Sequence, residues 1–372
     1  MKKVLHISKY YYPFIGGIEQ VARDCVLALK DEYEQKVICF NHEKGNKTDK
    51  VDDVEVTRVH CQMKVASQSI AMSYGKKLKK IINEFQPDVV IFHYPNPFVA
   101  HSLLKFRKKK TFKLYLYWHL DITKQKILGK LFHGQNKRLI KMADKVLGAT
   151  PIHIEKSHYY NYFKDKSIVL PYAINQERLN ISKDEIEKAK LIKKENEGKT
   201  ICFAIGRHVP YKGMEYLIKA SKLLDKKYKI YIGGEGPLTD SLKELASDAL
   251  KVDFLGKIDD STWRSYLYAC DIFCFPSITK NECFGLALAE AMYYKKPVIT
   301  FSIECSGVNY VSINGVTGIE CDNSNYKQFA DAIIELSENK DLSKNFGNAG
   351  YERVISNFTF EEFKKNIKRT IQ

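Results

Sequence analysis

Short apolar runs alternate with amphipathic stretches along nearly the whole chain. In the first half, residues 4–7, 35–40, 54–59, 89–93, 113–118, 145–149 and 167–170 form runs of strand length. Their near-continuous apolar character is that of strands buried on both faces. Between them, apolar residues recur at helical spacing over 19–30, 73–85 and 135–142. The alternation predicts βαβ units and a parallel sheet. Pro171 and the charge-dense run 175–199 interrupt it, and that run predicts a linker region with a helix but few core residues. A second series follows, with strands predicted at 200–205, 229–233, 252–255, 272–276 and 297–301. Helices are predicted at 213–224, 238–249, 261–269, 286–293 and 326–337. The fold class is therefore α/β, with two Rossmann-like doubly wound domains. Sheets of this kind bind ligands beyond the carboxyl ends of their strands, so two of them facing each other predict a central cleft.

Composition narrows the class without changing the picture. The chain has 372 residues, 44% hydrophobic and 28% charged, which is globular. No stretch approaches the roughly 18 uninterrupted apolar residues of a membrane span. The amino-terminal run Val4–Ile7 is too short for a signal peptide and reads as a first buried strand, so the expected compartment is the cytoplasm. Nine scattered cysteines include no CxxC pair, and Cys270 and Cys274 lie in an apolar run that suits small buried hydrophobes better than metal ligands.

Charge does change the picture. Of the formal +16, residues 1–173 carry 31 basic against 16 acidic side chains, and residues 174–372 carry 29 against 28. Nearly all the excess sits in the first half. That polarity fits a nucleic acid, a phospholipid surface or a phosphorylated acceptor, and equally a lysine-rich surface that only keeps the protein in solution.

Two segments could carry chemistry. Gly206-Arg-His-Val-Pro-Tyr-Lys-Gly213 follows a predicted strand and opens a helix. Backbone amides at such a turn make an anion site, to which Arg207 adds a planar fork and Lys212 a point charge. The competing reading is a tight turn with two solvated cations. In Asn281-Glu-Cys-Phe-Gly-Leu-Ala-Leu-Ala-Glu290, Glu282 lies in a loop and Glu290 about one turn inside the next helix. Amides at Phe284, Gly285 and Leu286 could hold sugar or phosphate oxygens, Glu282 a sugar hydroxyl, and Glu290 the two hydroxyls of a ribose. The alternative is a pair of ordinary carboxylates favouring a helix start. The apolar neighbours Ala287, Leu288, Ala289, Ala291 and Met292 argue against that for Glu290.

In this order and at this distance, the two segments resemble the G-R-x(4)-K-G and E-F-G-x(4)-E motifs of the retaining glycosyltransferases of family 4, also called group 1, with the two-domain B-type fold. Tyr11–Glu19, Pro171–Asn175, Gly233–Pro237, Phe254–Ile258 and Asp271–Ser277 match further landmarks of that family, so the resemblance spans essentially the whole chain. It implies an acceptor-binding domain over 1–173, a linker at 174–198 and a nucleotide-sugar-binding domain over 199–355, with a helix at 356–372 returning to the first domain. It also implies site roles. Gly16 and Gly17 would bring backbone close to the donor phosphate or the acceptor. His119 would point at the transferred sugar, though a buried histidine bonded to backbone is the plain alternative. Arg207 and Lys212 would hold the diphosphate, Glu282 the sugar and Glu290 the ribose, and main chain at Lys257 and Ile258 would read the base.

Two departures limit the carry-over. Cys283 stands where the family has Phe, with Phe only at 284, although the Glu-x(7)-Glu spacing is kept. The segment 306–318 replaces the usual double-glycine form and looks like the version in transferases for mannose, rhamnose and similar sugars of bacterial capsule and O-antigen polysaccharides. No Asp-x-Asp motif and no carboxylate or histidine cluster has metal-ligand spacing, so no metal or other cofactor is expected beyond the nucleotide-sugar donor. Ile70, Tyr74, Leu78, Ile81, Ile82 and Phe85 recur at helical spacing, with Lys76, Lys77, Lys79 and Lys80 on another face, and a basic run follows at 105–113. This is a basic amphipathic patch that could dock on anionic lipid, or a core-facing helix with a solvated back. The expectation is an enzyme peripheral on the inner face of the cell membrane, acting on a lipid-diphosphate-linked or other saccharide acceptor. Its rivals are a hydrolysing nucleotide-sugar epimerase, a non-catalytic sugar-nucleotide binder and a basic nucleic-acid-binding protein. For the last, no recognised module is present, and no nucleic-acid partner is expected.

Overall fold

The computed structural model describes residues 1–14, 16–65, 68–106, 109, 111–121 and 126–372, with backbone alone for 65 and 126–131. Ile15 of the glycine loop and Arg107, Lys108 and Lys110 of the basic run lie outside the described residues. The chain forms two units, Met1–Ala173 with Phe360–Gln372, and Ile174–Thr359.

The first unit is built on β1 (Lys2–Ile7), β2 (Tyr33–Asn41), β3 (Lys47–Val51), β4 (Val54–His60), a small hairpin of β5 (Met63–Val65) and β6 (Gln68–Ile70), β7 (Val89–Tyr94), β8 (Lys113–Trp118), β9 (Lys145–Gly148) and β10 (Ser167–Val169). Its eight-stranded sheet runs β10-β9-β8-β7-β1-β2-β4-β3, parallel except where β3 pairs antiparallel to β4. Every residue of β7 is buried, as expected of a strand covered by helices on both faces. Sequence periodicity does not reveal β3, because Lys-Thr-Asp-Lys-Val is polar and lies on the sheet edge. Asp52 and Asp53 both have positive φ and close the two-residue turn into β4, a conformation that Asp tolerates. Arg23 forks onto Asp52 at 2.8 and 2.9 Å and ties that edge down.

The helix predicted at 73–85 forms over Tyr74–Phe85 and buries Tyr74, Leu78, Ile82 and Phe85 in the core. Ile70 belongs to β6 instead. The apolar stripe therefore faces protein, as in the core-facing alternative, with Lys76, Lys79 and Lys80 exposed on the back of the helix. The helix Phe360–Ile371 lies along Gly17–Leu29, with Phe363, Ile367 and Ile371 buried and Lys368 bonded to Glu32 at 2.6 Å.

The second unit contains β11 (Thr200–Ile205), β12 (Tyr228–Gly233), β13 (Val252–Gly256), β14 (Ile272–Phe275), β15 (Val298–Phe301) and β16 (Gly318–Cys321). They form one parallel sheet in the order β13-β12-β11-β14-β15-β16. The segment expected as a linker belongs to this unit. Its helix Lys183–Glu195 packs on the helix Asp260–Ala269, buries Ala189 and carries Glu185 into a two-pronged bond with Arg264 at 2.6 and 3.1 Å. Charge density misleads there because the charges are paired, and Ser182 and Glu185 close a capping box that starts the helix. Among the described residues, no helix is long and apolar enough to cross a membrane.

Candidate active site

The strand order of the second unit reverses between β11 and β14, and open parallel sheets bind ligands at the carboxyl edge beside such a reversal. The chain leaves β11 through 206–213 and leaves β14 through 276–285, so both candidate segments flank this point. They are laced together. The Ile278 N–H donates to the Tyr211 carbonyl at 2.9 Å. Gly213 has φ +60°, and a Cβ there would stand 2.1 Å from the Pro276 carbonyl oxygen. Only glycine permits that approach.

The lacing brings Lys212 onto Glu282. Nζ donates to Oε2 in a short bond, and both side chains are only 14% exposed. Ser277 Oγ donates to the same oxygen at 3.2 Å, and Ser306 Oγ donates to the Glu282 carbonyl. Burial pulls the Lys212 ammonium down, but Glu282 and Tyr211 outweigh it and the net shift is upward. Lys212 therefore stays charged in a half-buried setting where Coulomb terms are larger than in bulk water. Arg207 is exposed beside it. Both cations lie on the segment that leaves the carboxyl end of β11, Arg207 exposed and Lys212 paired.

Gly285 opens the helix Leu286–Tyr293 with φ +86°, and the first-turn amides face its amino end. Glu290 sits one turn in, and its Oε1 accepts from Arg178 Nη1 at 3.0 Å. Arg178 also donates to Asp260 through Nε and Nη2 at 3.0 and 2.8 Å, and lies 4.5 Å over the Trp263 ring. Burial pushes the Glu290 carboxyl up while Arg178 draws it back, leaving it raised. Lys257 is exposed and Ile258 half-buried immediately after β13, further along the same edge.

In the first unit, Gly16 and Gly17 start the helix Gly17–Leu29 beyond β1, and a Cβ on Gly17 would meet nothing within 4 Å. His119 directly follows β8 and has no exposure. Its Nε2 lies 3.0 Å from Nδ1 of His93, and its Nδ1 is bonded to the Tyr172 hydroxyl. His6, His93 and His119 form a buried row across β1, β7 and β8, with ring centroids 6.5 and 5.3 Å apart. Burial, with His153 adding to it, lowers His119 to about 3, so the imidazole is neutral at physiological pH. Both ring nitrogens are engaged by side chains, so the bonded partners are His93 and Tyr172 and not backbone.

Arg207, Lys212, Glu282, Phe284, Gly285, Leu286, Glu290, Lys257 and Ile258 thus share the carboxyl edge of the second sheet, and Gly16, Gly17 and His119 that of the first. Lys212 and Glu282, expected to hold the diphosphate and the sugar separately, form one pair. Arg178, Ser277, His93 and Tyr172 are not among the residues expected from sequence. Only the distance of Arg178 from the second-domain motifs, 112 residues from Glu290, explains its omission, since no local pattern joins them.

Comparison with known proteins bears on what this edge does. Residues 185–353 match the family model for glycosyl transferases group 1, and residues 15–178 match that for glycosyltransferase family 4. The O-antigen chain mannosyltransferase C of Escherichia coli is 25% identical over 364 residues, covering 96% of this chain and 94% of that protein. The D-rhamnosyltransferase WbpZ of Pseudomonas aeruginosa is 27% identical over 363 residues, covering 96% and 92%. In structure, the chain is similar to sucrose-phosphate synthase from Thermosynechococcus elongatus, with a TM-score of 0.82 at 17% identity over 100% of this chain and 98% of that one. Anabaena HepE in complex with UDP gives 0.79 at 16% identity, over 100% and 99%.

Proposed function

The chain belongs to the group 1, family 4 glycosyltransferases of the two-domain B-type fold, and on that footing we propose that it is a retaining hexosyltransferase of bacterial surface-polysaccharide synthesis. The donor is a nucleoside-diphosphate sugar of mannose or rhamnose type, GDP-linked, and the acceptor a lipid-diphosphate-linked or other saccharide. The names of the two full-length relatives support the sugar class and the polysaccharide setting. The observation that carries the reading is the Lys212–Glu282 pair at the sheet reversal, with Arg207 beside it and Glu290 one helical turn beyond.

In this reading Arg207, Lys212 and the amides of Phe284–Leu286 hold the diphosphate, and no metal is required. Glu282 bonds a sugar hydroxyl, Glu290 the ribose, and main chain at Lys257 and Ile258 the base. Gly16 and Gly17 give backbone room for phosphate or acceptor. The imidazole of His119 reaches a sugar hydroxyl by exchanging its Tyr172 bond. The anomeric carbon–phosphate oxygen bond breaks with its electron pair left on the diphosphate, where the two cations stabilise it. The acceptor oxygen bonds to the anomeric carbon on the same face, and its proton passes to the departing phosphate. The basic first unit rests against anionic lipid on the cytoplasmic side.

A thermal-shift panel of GDP- and UDP-sugars tests the donor site. Ligand at a hundredfold excess over its dissociation constant stabilises by about 2.7 kcal/mol. The expected result is a shift with one nucleotide family, absent in Glu290→Ala. No shift with any of them removes the reading.

A further inference from the structure

Arg178 has no part in the chemistry above, yet it is held from several sides. Asn175 caps the turn Gln176–Leu179 that carries it. The Arg178 carbonyl accepts from Arg264 Nη1 at 2.8 Å, and Arg264 is itself fixed on Glu185. The next carbonyl, of Leu179, accepts from the Tyr294 hydroxyl at 2.5 Å. The guanidinium gives two N–H groups to Asp260 and lies 4.5 Å over the Trp263 ring, while Nη1 donates to Glu290.

We propose that Arg178 is the positioning residue of the ribose site: it fixes Glu290 through Oε1, so that Oε2 is presented to the nucleotide's 2′- and 3′-hydroxyls. This rests on the reading of Glu290 given above. A flat fork anchored at one end is suited to the task, because it sets both the distance and the plane of the carboxylate. A lysine supplies charge there without the plane. Burial drives the Glu290 carboxyl toward its neutral form, and the adjacent Arg178 opposes that by favouring the charged form.

The test compares calorimetric affinities for GDP and UDP with those for their 2′,3′-dideoxy forms. A charge-assisted hydrogen bond corresponds to a preference of about 10- to 150-fold for the ribonucleotide in the wild type. Arg178→Gln is expected to reduce that ratio to the value for Glu290→Gln, with the double variant no lower, and Arg178→Lys to fall between. If Arg178→Gln or Arg178→Lys weakens both ligands in proportion and keeps the wild-type ratio, Arg178 is only structural and the inference is overturned alone. If the wild type itself does not distinguish ribose from dideoxyribose, the ribose reading of Glu290 falls and this inference with it. Arg178→Lys keeps the test open should Arg178→Gln fail to fold, and a melting curve for each variant reports that.

Discussion

Replacing Lys212 with Met separates two things the Lys212–Glu282 pair does. The pair is neither a surface contact, worth about 0–1 kcal/mol, nor fully buried, where loss of one partner costs about 3–5 kcal/mol. With 14% exposure on each side chain, an intermediate cost of about 2 kcal/mol is expected, because Glu282 keeps its charge but loses its cation. For a unit spanning Ile174–Thr359, each kcal/mol moves the melting midpoint by about 2–4 °C, so Lys212→Met should melt about 4–8 °C lower. Adding Glu282→Gln removes the stranded charge and should restore most of that loss. Activity behaves differently. A cation that meets charge developing on a leaving group is worth about 10²–10³ in turnover, and glutamine at 282 returns none of it. The double variant should therefore be stable and inactive. Differential scanning calorimetry and turnover with the donor chosen by the thermal-shift panel measure the two effects. Stability losses that simply add in the double variant would refute the pairing argument, and near-normal turnover in Lys212→Met would refute its chemical role.

Further outcomes are as specific. Glu185 is held down to about 2, chiefly by its bond to Arg264, so its stabilising effect is complete above about pH 4.5 and drains away as pH falls toward 2. Glu185→Gln should cost about 3 kcal/mol at neutral pH and flatten that acid limb in urea midpoints taken between pH 6 and 2.5. His6, lowered to about 4 by burial with Gln35 opposing, and His119, lowered to about 3, must gain a proton on unfolding. Folded values below the unfolded 6.5 mean stability is lost as pH drops from about 6.5 toward 4, and His119→Gln should shallow that slope in the same titrations. Turnover should survive excess EDTA, and complete loss restored by a divalent ion would sink the metal-free assignment. The protein should co-sediment with anionic vesicles and be released by salt, each Lys or Arg near the surface contributing about 1 kcal/mol, and indifference to lipid charge would remove the membrane assignment.

Strand placement was readable because parallel strands buried on both faces are continuous apolar runs, as at Val89–Tyr94 and Ile272–Phe275. The edge strand Lys47–Val51 was not, since one solvated side removes the signal, and the packed helix Lys183–Glu195 was hidden by its own charges. At the candidate site, residue identities were legible from motifs and their partners were not. Lys212 meets Glu282 across 70 residues and Arg178 meets Glu290 across 112, distances at which pairing depends on how sheets are wound.

The return of Phe360–Ile371 to the first unit has a consequence for biosynthesis. The ribosome must make all of Ile174–Thr359 before the residues that cover the flank of Gly17–Leu29 exist. At about 5–20 residues per second, that interval lasts about 10–40 s. During it the nascent amino-terminal half offers an open apolar seam where Phe363, Ile367 and Ile371 will later dock, a natural landing place for a chaperone. A stop codon before 360 would make the vacancy permanent and send the product toward degradation, although every residue of the candidate site had already been synthesised.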